Sequence, residues 1–230
     1  MDKNLISIKE SLLLLKKYNF NYPDVYIIDN KVEIKNLNLK FPVVLKIDSN
    51  EIIHKSDFGF VFTNINSYLE LHKKIDLFET KIKEKKIQNY NFVIQEMVFG
   101  KELILGLKTD KTFGKTILLG LGGIFTEVLK DISMRILPIK KEDCYEMISE
   151  LKGKKILENY RNTKAINFDN LAETILNFST LCLNETFDEI DFNPLICNEN
   201  KCYVVDARFI LNNEINEKLN NERKELPKFS

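Results

Sequence analysis

Three of the chain's eight glycines, Gly120, Gly122 and Gly123, fall within four positions, directly after the apolar run Ile117-Leu118-Leu119. Residues without a Cβ let backbone N–H groups come close to an anion and reach φ > 0. Thr126, Glu127, Lys130 and Asp131 follow at once. Donors and charges beside bare backbone spell a strand-to-loop phosphate cradle. His54 is the second group of chemical interest. A neutral imidazole is a competent nucleophile near pH 7, its ordinary pKa being about 6.5. Polar Lys55, Ser56 and Asp57 flank it, with Gly59 available as a pivot. An ordinary surface-loop histidine fits the same residues. His72, between Leu71 and Lys73 on a predicted helix, reads as a surface or packing residue. Asn193 and Asp206 bring oxygen donors to the ends of short predicted strands, in D-F-N-P and V-V-D-A-R. Oxygen suits Mg²⁺, and a strand-end Asn equally suits a turn.

A chain of 230 residues has room for one large domain or two small ones. Hydrophobic content of 44% and charged content of 30% describe a soluble globular protein. Basic and acidic residues balance at 34 each, which argues against a nucleic-acid binder. No apolar run approaches the ~20 residues of a membrane span, and no signal-peptide pattern opens the chain. A cytoplasmic location follows as an expectation. Cys144, Cys182, Cys197 and Cys202 form no CxxC pair and are read as reduced thiols. With only His54 and His72 beside them, a zinc site is not expected. Cys197 and Cys202 flank the turn NENK and could face each other across a hairpin.

The elements that must position these groups are legible in outline. Ser7 and Glu10 form a capping box, and Ile8, Leu12 and Leu15 recur at helical spacing. Val25 to Ile28, Val43 to Ile47, Val61 to Thr63 and Phe92 to Gln95 read as strands. Ser67 and Glu70 open a second helix reaching about Phe78, and the lysine-rich Lys81 to Lys86 reads as solvated surface or loop. Glu102 to Lys108 and Lys115 to Leu119, around the polar TDKTFG, suggest a hairpin. Helices are predicted at Lys141 to Leu151 and Phe168 to Leu183, and the last strands at Glu189 to Phe192 and Cys202 to Asp206. Pro194 is expected to stop the first of these. Without strict alternation of strand and helix, an α+β arrangement with antiparallel sheets is expected. The division falls near Gly100. Residues 1–99 hold the N-terminal helix and a small subdomain, residues 100–212 a larger one, and residues 213–230 a polar tail. Two such layers with a crevice between them make a nucleotide clamp.

Five segments, read together, resemble one family: FPVVLKI (Phe41 to Ile47), IIHKSDFGFV (Ile52 to Val61), VIQEMVFGKELILG (Val93 to Gly106), LGLGGIFTEVLKDISMRILPI (Leu119 to Ile139) and DFNPLI…YVVDAR (Asp191 to Arg208). They resemble the ATP-grasp β subunit of the ADP-forming acetyl-CoA (acyl-CoA) synthetases, over most of the chain from Ser7 to Phe209. The resemblance implies an α+β ATP-grasp fold whose two subdomains clamp ADP or ATP with Mg²⁺. It also implies a CoA-binding α subunit made as a separate chain, in an α2β2 or larger assembly. Three places depart from the family pattern. Asp57-Phe58-Gly59-Phe60 stands where the family has D-x-G-G, so Phe60 removes one flexible position. Tyr18 to Pro23 is longer than the family's Tyr-Gly-Ile-Pro, and Asn162 follows Arg161 where glycine is usual.

Roles follow from the resemblance. The histidine matching His54 would carry a phosphoryl group to ADP, with Lys55 helping to neutralise it. Asn193 and Asp206 would be the magnesium ligands, Asp191 would orient Asn193 or contact the metal through water, and Arg208 would hold Asp206. Lys46 occupies the phosphate-lysine position; taken alone it is a solvated strand-end lysine. Glu96, Met97 and Val98 resemble the hinge whose backbone reads the adenine edge, and Glu102 the acid that binds the ribose hydroxyls. Gly120, Gly122 and Gly123 would face the phosphoryl group in transit. Arg135 would add charge stabilisation, or pair with Asp131 if that segment is helical. A free-standing ATP-grasp carboxylate ligase and a non-catalytic nucleotide-sensing subunit are the alternatives.

Overall fold

The computed structural model describes residues 5–49, 51, 59–110, 112–123, 130–159 and 163–211. His54 and Lys55 lie outside the described residues, as do Thr126 and Glu127 after the glycine run, Arg161 with Asn162, and the tail beyond Leu211. The chain divides into two units between Val98 and Phe99.

The first unit contains β1 (Val25–Ile28), a 3₁₀ turn (Lys31–Asn36), β2 (Val43–Asp48), β3 (Val61–Ile65), α2 (Tyr68–Lys85) and β4 (Asn91–Glu96). Its sheet runs β1-β4-β2-β3, every pair antiparallel. β2 alternates strictly, burying Val43, Leu45 and Ile47 and turning Val44, Lys46 and Asp48 to the other face. That is the period-2 signature of a strand with one face on a core. Leu71, Ile75, Phe78 and Ile82 form the buried stripe of α2 at steps of four, three and four. The Ser67 hydroxyl accepts the Glu70 N–H at 3.2 Å, and the Glu70 carboxylate reaches back to the Asn66 N–H at 2.9 Å. The lysine-rich stretch is solvated surface as expected, with Lys83, Lys85 and Lys86 exposed, but it is the end of this helix rather than a loop. Ile82 continues the apolar stripe past Phe78, and the helix stops only at Lys86, at φ 55°.

The second unit adds α1 (Ile8–Lys17) to β5 (Lys101–Asp110), β6 (Gly114–Leu121), β7 (Ile132–Ile136), α3 (Lys141–Glu150), α4 (Lys154–Leu157), α5 (Phe168–Asn184), β8 (Phe187–Cys197), β9 (Cys202–Val204) and β10 (Ala207–Leu211). The sheet order is β10-β8-β5-β6-β7, with β9 also on β8, again antiparallel throughout. Leu103, Leu105, Leu107, Ile117, Leu119, Ile190 and Phe192 bury one face against the helices. Phe178 of α5 and Phe20 after α1 meet Phe192 edge-on, with centroids at 4.9 and 5.1 Å.

Several expectations change. The N-terminal helix, grouped by sequence with residues 1–99, belongs to the second unit. Leu15, Tyr18 and Phe20 lie in that unit's core, and the Tyr18 hydroxyl donates to Glu185 at 2.7 Å. Leu5 pairs with Ile210 at the β10 edge. Pro194 does not stop β8, which runs on to Cys197 through a cis Asn193–Pro194 bond. Asp206 lies between β9 and β10 rather than at a strand end. Cys197 and Cys202, read as thiols, are bonded across the β8–β9 hairpin, where direct register brings their Cα atoms to 4.0 Å. Cys144 and Cys182 are buried thiols, pushed up to about 11 and about 12 by desolvation. No helix among the described residues is long and apolar enough to cross a membrane.

Candidate functional site

In the second unit, strand register gathers most of the candidate residues at one end of one sheet. Ile104 of β5 lies opposite Gly120 of β6, and the Gly122 N–H donates to the Glu102 carbonyl at 2.7 Å. A Cβ on Gly122 would sit 2.7 to 2.9 Å from Glu102 Cβ and its backbone, so only glycine permits this approach. Gly123 follows at φ +64°, with the Glu102 carboxylate 3.5 Å from where its Cβ would be. Gly120 lies inside β6, its missing side chain making room for Ile104 and Ile132.

Asn193 and Asp206 join the same end. The β5–β8 register slips between Leu103 and Leu105, across from the Asn193-Pro194 dipeptide. The Asn193 N–H donates to the Asp206 carbonyl at 3.2 Å, and the Val205 N–H to the Pro194 carbonyl at 3.4 Å. Both candidate ligands are exposed. Asp191, half-buried, pairs in register with Arg208. Its carboxyl is raised above the usual range, first by burial and then by Glu189 and Asp206, with Arg208 opposing. The described residues hold no cluster of three or more His, Cys, Asp or Glu suited to a metal. One carboxylate and one amide oxygen, exposed and tied together through backbone, fit Mg²⁺, which keeps waters and phosphate oxygens as its other ligands.

Arg135 does not join this face. It lies on β7, a strand, so helical pairing with Asp131 is ruled out. In register with Ile117, it points with Ser133 toward the helical layer. Its guanidinium grips both Glu150 oxygens, at 2.6 and 2.9 Å, and reaches Glu146 at 3.4 Å. Asp131 has a different use. Buried at the start of β7, its carboxylate accepts the Lys152 and Gly153 N–H groups at 2.8 and 2.7 Å, and its carbonyl accepts the Leu121 N–H at 3.3 Å. It ties the closing end of the glycine segment to the α3–α4 turn. Sequence reading missed this role, because the carboxylate's partners are backbone groups 21 and 22 residues away that carry no side-chain signal.

In the first unit, Lys46 is half-buried on the sheet face opposite the core, in register with Val61 and Val93. Gln95, a buried amide, shares that face. Glu96, Met97 and Val98 leave β4 half-buried. The Glu96 N–H donates to Asp24 and the Met97 N–H to Pro42, both at 3.0 Å. His72 is half-exposed on α2.

The model of the ATP-grasp domain matches residues 2–211. The chain is 38% identical over 208 residues to the ADP-forming acetate–CoA ligase I subunit beta of Pyrococcus furiosus, covering 88% of this chain and 90% of that one. It is 36% identical to the ADP-forming 4-hydroxybutyrate–CoA ligase of Nitrosopumilus maritimus, covering 87% of this chain but 30% of that longer protein. Among solved structures, the Ca. Korarchaeum cryptofilum dinucleotide-forming acetyl-coenzyme A synthetase 1 with phosphorylated phosphohistidine segment is similar at TM-score 0.81 and 28% identity, over 91% of this chain and 94% of that chain.

Proposed function

The chain belongs to the ATP-grasp family, in the branch of ADP-forming acetate–CoA ligase β subunits, and on that footing we propose that it is the nucleotide-binding subunit of an ADP-forming acyl-CoA synthetase. The complete reaction turns acyl-CoA, ADP and phosphate into carboxylic acid, CoA and ATP, reversibly. This chain performs the last step. His54 carries the phosphoryl group. Its N–P bond breaks, a terminal oxygen of ADP takes the phosphorus, and the ring nitrogen takes up a proton. A CoA-binding α subunit supplies the acyl chemistry, in an α2β2 or larger assembly.

The observation that carries this reading is the meeting of Glu102, Gly122, Gly123, Asn193 and Asp206 at one end of the six-stranded sheet. Glu102 accepts the ribose hydroxyls, and the glycine backbone lies against the phosphates. Asn193 and Asp206 would hold Mg²⁺, which when bound neutralises phosphate charge. Lys46 adds a cation toward the phosphates. Because the Glu96 and Met97 N–H groups are already committed, reading of the adenine edge falls to the Val98 N–H and the carbonyls of this segment. The phosphorylated phosphohistidine segment of the Korarchaeum neighbour supports the relay.

The test is direct. The chain is incubated with Mg²⁺ and γ-labelled ATP, alone and with its CoA-binding partner. An acid-labile, base-stable label that vanishes in His54→Ala is expected. Equal labelling of wild type and variant, or none with the partner present, overturns the proposal.

A further inference from the structure

Glu51 and Gly59 are the described residues on either side of the stretch that carries His54. One corner of the first unit, where α2 gives way to β4, grips both of them. On the leading side Ser49 is buried, and its hydroxyl donates to the Asn89 carbonyl at 2.6 Å. The same hydroxyl oxygen accepts the Glu51 N–H at 3.1 Å. The Glu51 carboxylate in turn accepts the N–H groups of Asn89 at 2.9 Å and Gln88 at 3.2 Å. On the trailing side Lys81, near the end of α2, donates to the Gly59 carbonyl at 2.9 Å.

The trailing grip is close. Gly59 has φ +65°, and a Cβ there would meet Lys81 Nζ at 2.7 Å. Phe60, standing where the family pattern has a second glycine, is fully buried and packs edge-on against Phe78 of α2 at 5.5 Å. The Lys81 ammonium also lies 5.8 Å from the Phe62 ring and 6.0 Å from the Phe60 ring. Two aromatic faces and a carbonyl thus fix where it points. Its neighbours Lys83, Lys85 and Lys86 are exposed.

We propose that Lys81 and Glu51 are positioning residues of the phosphoryl relay, fixing the two roots from which His54 is presented, with Gly59 as the trailing pivot. The inference rests on the reading of His54 as the carrier. A phosphoryl group must meet its acceptor in near-attack geometry, and a misplacement of about 1 Å made far from the chemistry can cost about 100-fold in rate. A root that slips displaces everything it carries. With Phe60 committed to the core, one glycine is left to turn the chain, and the Lys81 clasp on its carbonyl sets the direction of that turn. Neither Lys81 nor Glu51 touches nucleotide in this scheme. Each acts through backbone alone.

The experiment compares Lys81→Met, Lys81→Arg and Glu51→Ala in the chain assembled with its CoA-binding partner. Rapid-quench labelling from γ-labelled ATP·Mg²⁺ gives the transfer rate, and calorimetry gives the ADP affinity. Lys81→Met should slow transfer by about tenfold while ADP affinity stays within about twofold. Lys81→Arg, which keeps a donor for the carbonyl, should recover most of the rate. Glu51→Ala, at an exposed position, should slow transfer in the same way, and it decides the matter if Lys81→Met does not fold. Wild-type rates in both weakening variants overturn the inference, as does Lys81→Arg failing alongside Lys81→Met. So does a rate loss that merely follows lost ADP affinity. A wild-type chain that takes no label on His54 overturns the proposed function instead.

Discussion

At the scale of single residues, the site is built on close approaches that side chains would block. Gly122→Ala forces a Cβ into the Glu102 backbone, which cannot swing away as a side-chain tip could. The expected outcome is weaker ADP binding, by about tenfold, the equivalent of about 1.4 kcal/mol. Calorimetry checks it, and unchanged affinity would show that the two strands tolerate separation. Asp131→Ala removes both acceptors from the Lys152 and Gly153 N–H groups. Leaving such donors unpaired costs about 1–3 kcal/mol each when they are buried, and these are partly so, hence about 2 kcal/mol in all. Urea unfolding measures it; a midpoint equal to wild type would mean that water replaces the carboxylate freely.

At the scale of elements, β7 and α3 are joined by Arg135, Ser133 and Glu150. The Arg135 guanidinium, then the Ser133 hydroxyl, pull the Glu150 carboxyl from an ordinary 4.5 to about 2. A carboxylate depressed in the folded state adds stability above its unfolded value and loses it as pH falls through the folded one. Wild type should therefore exceed Glu150→Gln in thermal midpoint at pH 7, with the gap closing between about pH 4.5 and about 2. The gap is small, because the Glu150 side chain is 48% exposed and water screens the pair. A gap independent of pH would assign the effect to packing.

The same scale explains what was legible. The capping box at Ser7, the cap at Ser67, β-branched runs and the β5–β6 hairpin are written locally, so these elements were readable, although α2 runs seven residues past the end expected near Phe78. Strands β7 (ISMRI) and β10 (ARFIL) were not, because each is a five-residue edge strand, too short for its pattern of apolar residues to set a period. The passage of β8 through Pro194 was misread for a related reason: a local breaker was taken to outrank tertiary pairing. For Arg135, the alternative of an ion pair with Asp131 relied on a helical spacing that a strand does not have. The glycines were legible in their own spacing, and Glu102, Asn193 and Asp206 took their roles from the family resemblance, whereas Asp131, Glu51 and Lys81 bind backbone groups and leave no motif to find.

At the scale of the whole molecule, position along the chain does not decide which unit a segment joins. Helix α1 precedes the first unit in sequence yet packs in the core of the second. Leu15 is 3% exposed there. Leu15→Ala should destabilise the second unit by about 2–5 kcal/mol, seen as an earlier denaturant transition of β5–β10 amides in hydrogen exchange. Protection lost instead across β1–β4 would assign the helix to the wrong partner.

Because Leu5 faces Ile210 across the β10 edge, the first described residue of the second unit lies beside its last described strand. A longer gene product can therefore carry the module like a bead hung from one link, splicing it in or setting it free without redrawing its interior. The chain matches a separate subunit beta over 90% of its length and longer ligases over 31% and 30% of theirs.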